Sequence, residues 1–127
     1  MKSLRLMLVA VALFMGLSIS NANAQTTSFY ITANYAWTID WYNTPSTKQN
    51  GNSYSAVAWS TSSASGSHKM WFKVINSAEV TQGSGLLNYL TTDAFKTNLT
   101  QGTSYWLAAR RENVIDPVTT VTGTWAA

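Results

Sequence analysis

The chain of 127 residues contains no cysteine and one histidine, and only 10% of its residues are charged. Without cysteine there is no disulfide framework, no thiolate metal site and no cysteine nucleophile. With His68 as the single histidine, a metal site built from several histidines cannot be assembled. His68 itself reads as a solvated residue at a strand edge. Charge is well below the roughly 25% of a typical soluble domain, so Ser, Thr, Asn and Gln carry the solubility instead.

Acidic groups are equally sparse. Asp40, Glu79, Asp93, Glu112 and Asp116 are the five carboxylates, and none is close to another in sequence. A glycosidase needs two carboxylates about 5–10 Å apart in a cleft. Only Asp40 and Glu112 fall on strands that could be neighbours, and Arg110 and Arg111 beside Glu112 suit a surface ion pair better. No set of nucleophile, base and oxyanion donor emerges, so the reading is of a protein that is not an enzyme and has no cofactor and no metal.

What is present begins with an export signal. Met1 to Ala24 opens with Lys2 and Arg5, runs through an apolar stretch from Leu6 to Leu17 and closes on Ala22-Asn23-Ala24, the layout of a secretory signal peptide. The apolar stretch is short of the roughly 20 residues that cross a bilayer. Cleavage after Ala24 is expected, leaving 25–127 as a single secreted β domain with no stable membrane insertion. Losing Lys2 and Arg5 brings the net charge near +1, and Lys48, Lys69, Lys73 and Lys96 are scattered. Nucleic acid, which demands a clustered basic face, is not an expected partner.

The second feature is an excess of aromatic side chains, with all six Trp and all six Tyr lying after Ala24. Large rings each bury roughly 150–250 Å² and can hold a small domain without disulfides. Many sit on period two. Phe29, Ile31, Ala33, Tyr35, Trp37, Ile39 and Trp41 share one parity, while Tyr30, Thr32, Asn34 and Tyr42 take the other, as in a half-buried strand. A run this long exceeds the usual strand, so a bulge or bend near Ala33-Asn34 is expected.

Residues 43–52 read as a loop with a tight turn at Asn50-Gly51. Strands are expected at Tyr54–Trp59, Lys69–Ile75, Ser104–Glu112 and Val118–Trp125. Gln82-Gly83-Ser84-Gly85 reads as a turn, and Asp93–Lys96 as a short helical turn. Short β-rich runs separated by Gly, Asn, Pro and Ser imply an all-β fold, a small antiparallel β-sandwich or open barrel.

The segment Tyr105-Trp106-Leu107-Ala108-Ala109-Arg110-Arg111-Glu112-Asn113, followed by Val121-Thr122-Gly123-Thr124-Trp125, resembles a group of small secreted all-β proteins of Gram-positive bacteria that close on Gly-x-Trp. More distantly, the size and layout resemble small β-sandwich bacteriocins. The resemblance implies export and a β domain, and the second likeness supplies an alternative function, a secreted toxin.

Strand parity also nominates binding residues. Trp71 and Trp106 each sit opposite the main apolar set of their strand, and Tyr42 lies on the outer parity of the first. Arg110 shares the Trp106 face with Glu112, and Arg111 falls on the Leu107 side at the rim, where its guanidinium could stack on a ring or take a carboxylate. Trp71, Trp106, Arg110, Arg111 and Tyr42 are therefore the binding candidates. Exposed rings among Asn, Thr and Ser suit a carbohydrate of the cell envelope or a protein surface. The expectation is a secreted binding or interaction module.

Overall fold

The computed structural model describes residues 26–36, 39–42, 44–64 and 68–127. The expected signal segment, together with Trp37, lies outside the described residues. The described chain forms nine strands and no helix: β1 (Thr27–Ala33), β2 (Asp40–Trp41), β3 (Ser46–Thr47), β4 (Tyr54–Ser62), β5 (Met70–Ile75), β6 (Thr81–Leu87), β7 (Thr92–Lys96), β8 (Ser104–Arg111) and β9 (Thr119–Ala126). One sheet has the order β1-β9-β4-β7. The other has the order β2-β8-β5-β6, with β3 also pairing β8. All pairings are antiparallel. The architecture is a β-sandwich, not a closed barrel.

The period-two residues make the core. Phe29 and Ile31 of β1, Val57 and Trp59 of β4, Met70, Phe72 and Val74 of β5, Leu107 of β8, and Val121 and Trp125 of β9 are all buried. Phe72 stands at the centre, with ring centroids 5.7 Å from Phe29 and 5.6 Å from Trp59 and planes inclined at 67° and 64°, so the two sheets meet through edge-to-face rings. The expected strands at β4, β5, β8 and β9 are all present. β4 runs three residues further than its apolar pattern, and a bulge after Trp59 lets Thr61 pair with Thr122.

Four expectations are corrected. The long first strand is two elements: β1 ends at Ala33, the predicted bend, and the chain then crosses to pair with β8 in the other sheet. Parity breaks there, so Tyr35 and Trp41 are exposed and Ala36 is buried. The expected Gln82–Gly85 turn lies inside β6, and the expected helical turn at Asp93–Lys96 is the edge strand β7. The glycines of β6 serve close packing: a Cβ on Gly85 would press into the Phe95 ring, and one on Gly83 would strike the backbone of Lys96 and Thr97. Here the edges of the two sheets touch, and the Asn98 amide donates to the Gln82 carbonyl at 3.0 Å. Finally, Asn50-Gly51 makes no left-handed turn. Among the described glycines, positive φ belongs to Gly102.

Loop 43–52 is also less loose than its composition suggests. Ser46–Thr47 pairs with Ser104 and Tyr105 of β8, and Lys48 is 1% exposed. Its Nζ donates to Asn52 Oδ1 at 2.8 Å and to the Tyr54 carbonyl at 2.9 Å. No carboxylate reaches it among the described residues. Burial lowers its pKa from the usual 10.5 to about 8.

The two outward faces differ in chemistry. The four-stranded sheet presents mostly small groups, with Thr32 and Thr120 sharing a hydrogen bond of 2.9 Å, Thr61 bonded to Thr122, and Ala56, Ala58 and Ala94 beside them, and it carries two exposed rings set apart from each other, Tyr30 on β1 and Tyr54 on β4. The five-stranded sheet presents three tryptophans together with two cations.

Candidate functional site

Strand register assembles the outer face of the five-stranded sheet. Trp71 of β5 is opposite Arg110 of β8, Lys73 opposite Ala108, and Ile75 opposite Trp106, while Trp41 of β2 pairs with Ala108 from the other side. Alternation places all these side chains outward. Ala108 and Ile75 are nonetheless buried, because the larger side chains around them close over the sheet. The result is a layer of rings and cations outside the sandwich core.

Two aromatic contacts organise the layer. The Trp41 and Trp106 rings meet edge to face, centroids 6.5 Å apart and planes at 85°. The Arg110 guanidinium lies 5.4 Å from the centroid of Trp71, within cation–π range. Arg110 also donates to the Ala36 carbonyl at 2.8 Å, which helps fix the guanidinium beside the ring. Lys73 is close enough to Arg110 for mutual repulsion to matter. Burial of its amine, and secondarily the Arg110 charge, hold its pKa below the usual lysine value.

A concavity opens at each end of the face. One, of about 190 Å³, is lined by Trp41, Ile75, Asn76, Ser77, Glu79 and Trp106. The other, of about 460 Å³, is lined by Ala36, Arg110, Glu112, Asn113, Val114 and Ile115. Val114 and Ile115 form an apolar lip, with Ile115 88% exposed.

Comparison with protein-family models, with curated proteins and with solved structures gave no match. The residues alone therefore carry the functional argument.

Of the sequence candidates, Trp71, Trp106 and Arg110 come together on this face. Arg111 does not join them. Its guanidinium donates to the carbonyls of Asp116 and Asn34, and its backbone amide donates to Tyr35. It clamps the β8 end to the chain crossing between sheets, and the ring stacking expected of it belongs to Arg110. Neither arginine pairs with Glu112 among the described residues. Tyr42 packs against the core, its amide bonded to the Leu107 carbonyl, and so stands apart from the outer face.

Two residues of the site escaped sequence reasoning. Trp41 was assigned to the inner parity, and the strand break that turns it outward leaves no periodic signal. Glu79 was one of five scattered acids. The β5–β6 turn places it at the smaller concavity, where the Asn76 side-chain oxygen accepts the amides of Ala78 and Val80.

Carboxylates elsewhere serve structure. Asp40 accepts the Asn34 amide at 2.8 Å, and buried Asp116 takes the Asn113 amide and lies 3.0 Å from His68 Nδ1. His68 is thus tied to the 113–116 turn and is not merely solvated. Among the described residues, no group of three or more His, Asp or Glu is placed to hold a metal ion, and no helix is long and apolar enough to cross a membrane.

Proposed function

We propose that the chain is an exported, non-catalytic binding module that attaches to the cell envelope, to its carbohydrate or to a protein surface there, through the outer face of the five-stranded sheet. The observation that carries this reading is the gathering of Trp41, Trp71 and Trp106 with Lys73 and Arg110 on one outward face, while Phe29, Trp59, Phe72 and Trp125 already fill the core. Large rings outside a filled core, beside cations with no carboxylate partner among the described residues, give the fold less than core rings do and offer a ligand much. The signal-like leader and the resemblance to small secreted β proteins support export.

The test is attachment of the purified chain, from Gln25 onward, to insoluble wall polysaccharide and to envelope protein extract. Wild type should be retained on one of them, and Trp106→Ala should be retained several-fold less while staying folded. Equal retention of the two proteins would remove the face from the mechanism. Growth inhibition of bacteria by the purified chain would instead favour the secreted-toxin reading.

A further inference from the structure

We infer that the smaller concavity is a pocket for an organic ammonium group, of which the trimethylammonium of choline is the compact representative. This inference rests on the binding-module reading and names the ligand chemistry of one part of its face. Its two aromatic walls are Trp41 and Trp106, whose planes stand at 85° with centroids 6.5 Å apart. Two perpendicular rings form a corner, and a cation seated in such a corner can touch the electron-rich faces of both. A sugar ring is better served by one flat, open platform than by this corner, where Trp106 is half-buried and the exposed Trp41 meets it edge to face.

Glu79 supplies the third wall and the charge. It lines the concavity and forms no ion pair among the described residues. Its backbone is in the left-handed region, at φ 63°, where glycine is the strain-free choice and a side chain is tolerated at a cost. The turn thereby sets Glu79 in the lining of the concavity that the two rings wall. Ile75 forms an apolar floor, 1% exposed, suited to methyl groups and unable to hydrate a cation. The volume of about 190 Å³ is below the roughly 300–1,000 Å³ of sites for larger ligands and matches a single head group. Lys73 and Arg110 lie further along the same face, so an anionic neighbour of the ammonium, such as a phosphate, has cations toward which to extend.

Tryptophan fluorescence of the chain from Gln25 onward, titrated with choline and separately with its neutral carbon isostere 3,3-dimethylbutan-1-ol, tests the inference. Choline should give a saturable change and the isostere should not. Glu79→Gln, which retains hydrogen bonding but loses the charge, should weaken choline by about three- to tenfold, and Trp106→Ala by about tenfold. Glu79→Gly, which also relieves the backbone, guards against misfolding: it should melt no lower than wild type and still lose choline. Co-sedimentation with phosphatidylcholine vesicles separates a lipid head group from choline offered free or on a wall polymer, since retention on vesicles that free choline displaces identifies the lipid source. Equal responses to choline and isostere, no response to choline, or undiminished choline binding by Glu79→Gln would each overturn the ammonium pocket. If wild type were then still retained on wall polysaccharide in a Trp106-dependent way, the pocket alone would fall; loss of both would take the binding face with it.

Discussion

Lys48 makes a pH experiment unusually direct. Its ammonium is buried with two neutral acceptors and no counter-ion among the described residues, and its pKa falls from 10.5 to about 8. The neutral amine retains two N–H donors, enough for both Asn52 Oδ1 and the Tyr54 carbonyl, so losing the proton sacrifices neither bond. Between about pH 8 and 10.5 the folded chain has released a proton that the unfolded chain still holds. Stability must therefore rise with pH across that window, at up to about 1.4 kcal/mol per pH unit, for a ceiling of about 3 kcal/mol. Between roughly pH 7.5 and 10 the gain should be about 2 kcal/mol. Urea unfolding followed by tryptophan fluorescence at the two pH values measures it. Lys48→Met is the control, because it has a similar volume and no proton to lose. Lys73, whose pKa is also lowered, acts in the same direction but is common to both proteins and cancels in their difference. The wild type should gain on the methionine variant as pH rises. A constant gap, or one that moves the other way, would show that Lys48 is solvated in the folded chain and that the 46–54 segment does not close over it.

The two classes of tryptophan should separate by stability. Trp125→Ala should cost about 3–5 kcal/mol in chemical denaturation, whereas Trp106→Ala, losing a half-buried ring and its contact with Trp41, should cost about 2 kcal/mol. Equal costs would contradict the placement of Trp106 outside the core. Gly123→Ala should lower stability by about 1–3 kcal/mol or more, because its Cβ would run into the Ala58 carbonyl and the Phe29 ring; a neutral result would mean that β4 and β9 separate easily. Glu79→Gly should raise the melting temperature by a few degrees, equivalent to up to about 1 kcal/mol, since glycine takes φ 63° without strain. A lower melting temperature would show that the carboxylate holds the turn.

Alternation was enough to read β5, β8 and β9, because in a half-buried strand each side chain reports its own environment, and Trp71 and Trp106 were legible as outward residues for the same reason. The closing Gly-x-Trp was visible as a motif, but its meaning is structural: Trp125 is core, and Gly123 passes between Phe29 and Trp59 where no Cβ fits. Periodicity is local, so it could not show that the chain leaves one sheet for the other after Ala33, nor that Trp41 consequently faces out. Gly83 and Gly85 read as turn formers because glycine's backbone freedom is an intrinsic property, whereas the close approach that uses them here exists only once β6 and β7 come together. Strand β7 was missed because Phe95 is its one buried residue and an edge strand need not alternate. Composition assigns lysine to water, and only closure of the 46–54 segment makes Lys48 a buried amine. The ammonium pocket joins three segments far apart in sequence, Trp41, Ile75–Glu79 and Trp106. Each residue type was legible by itself, but their meeting follows from strand register, which long-range pairing decides and no local pattern encodes.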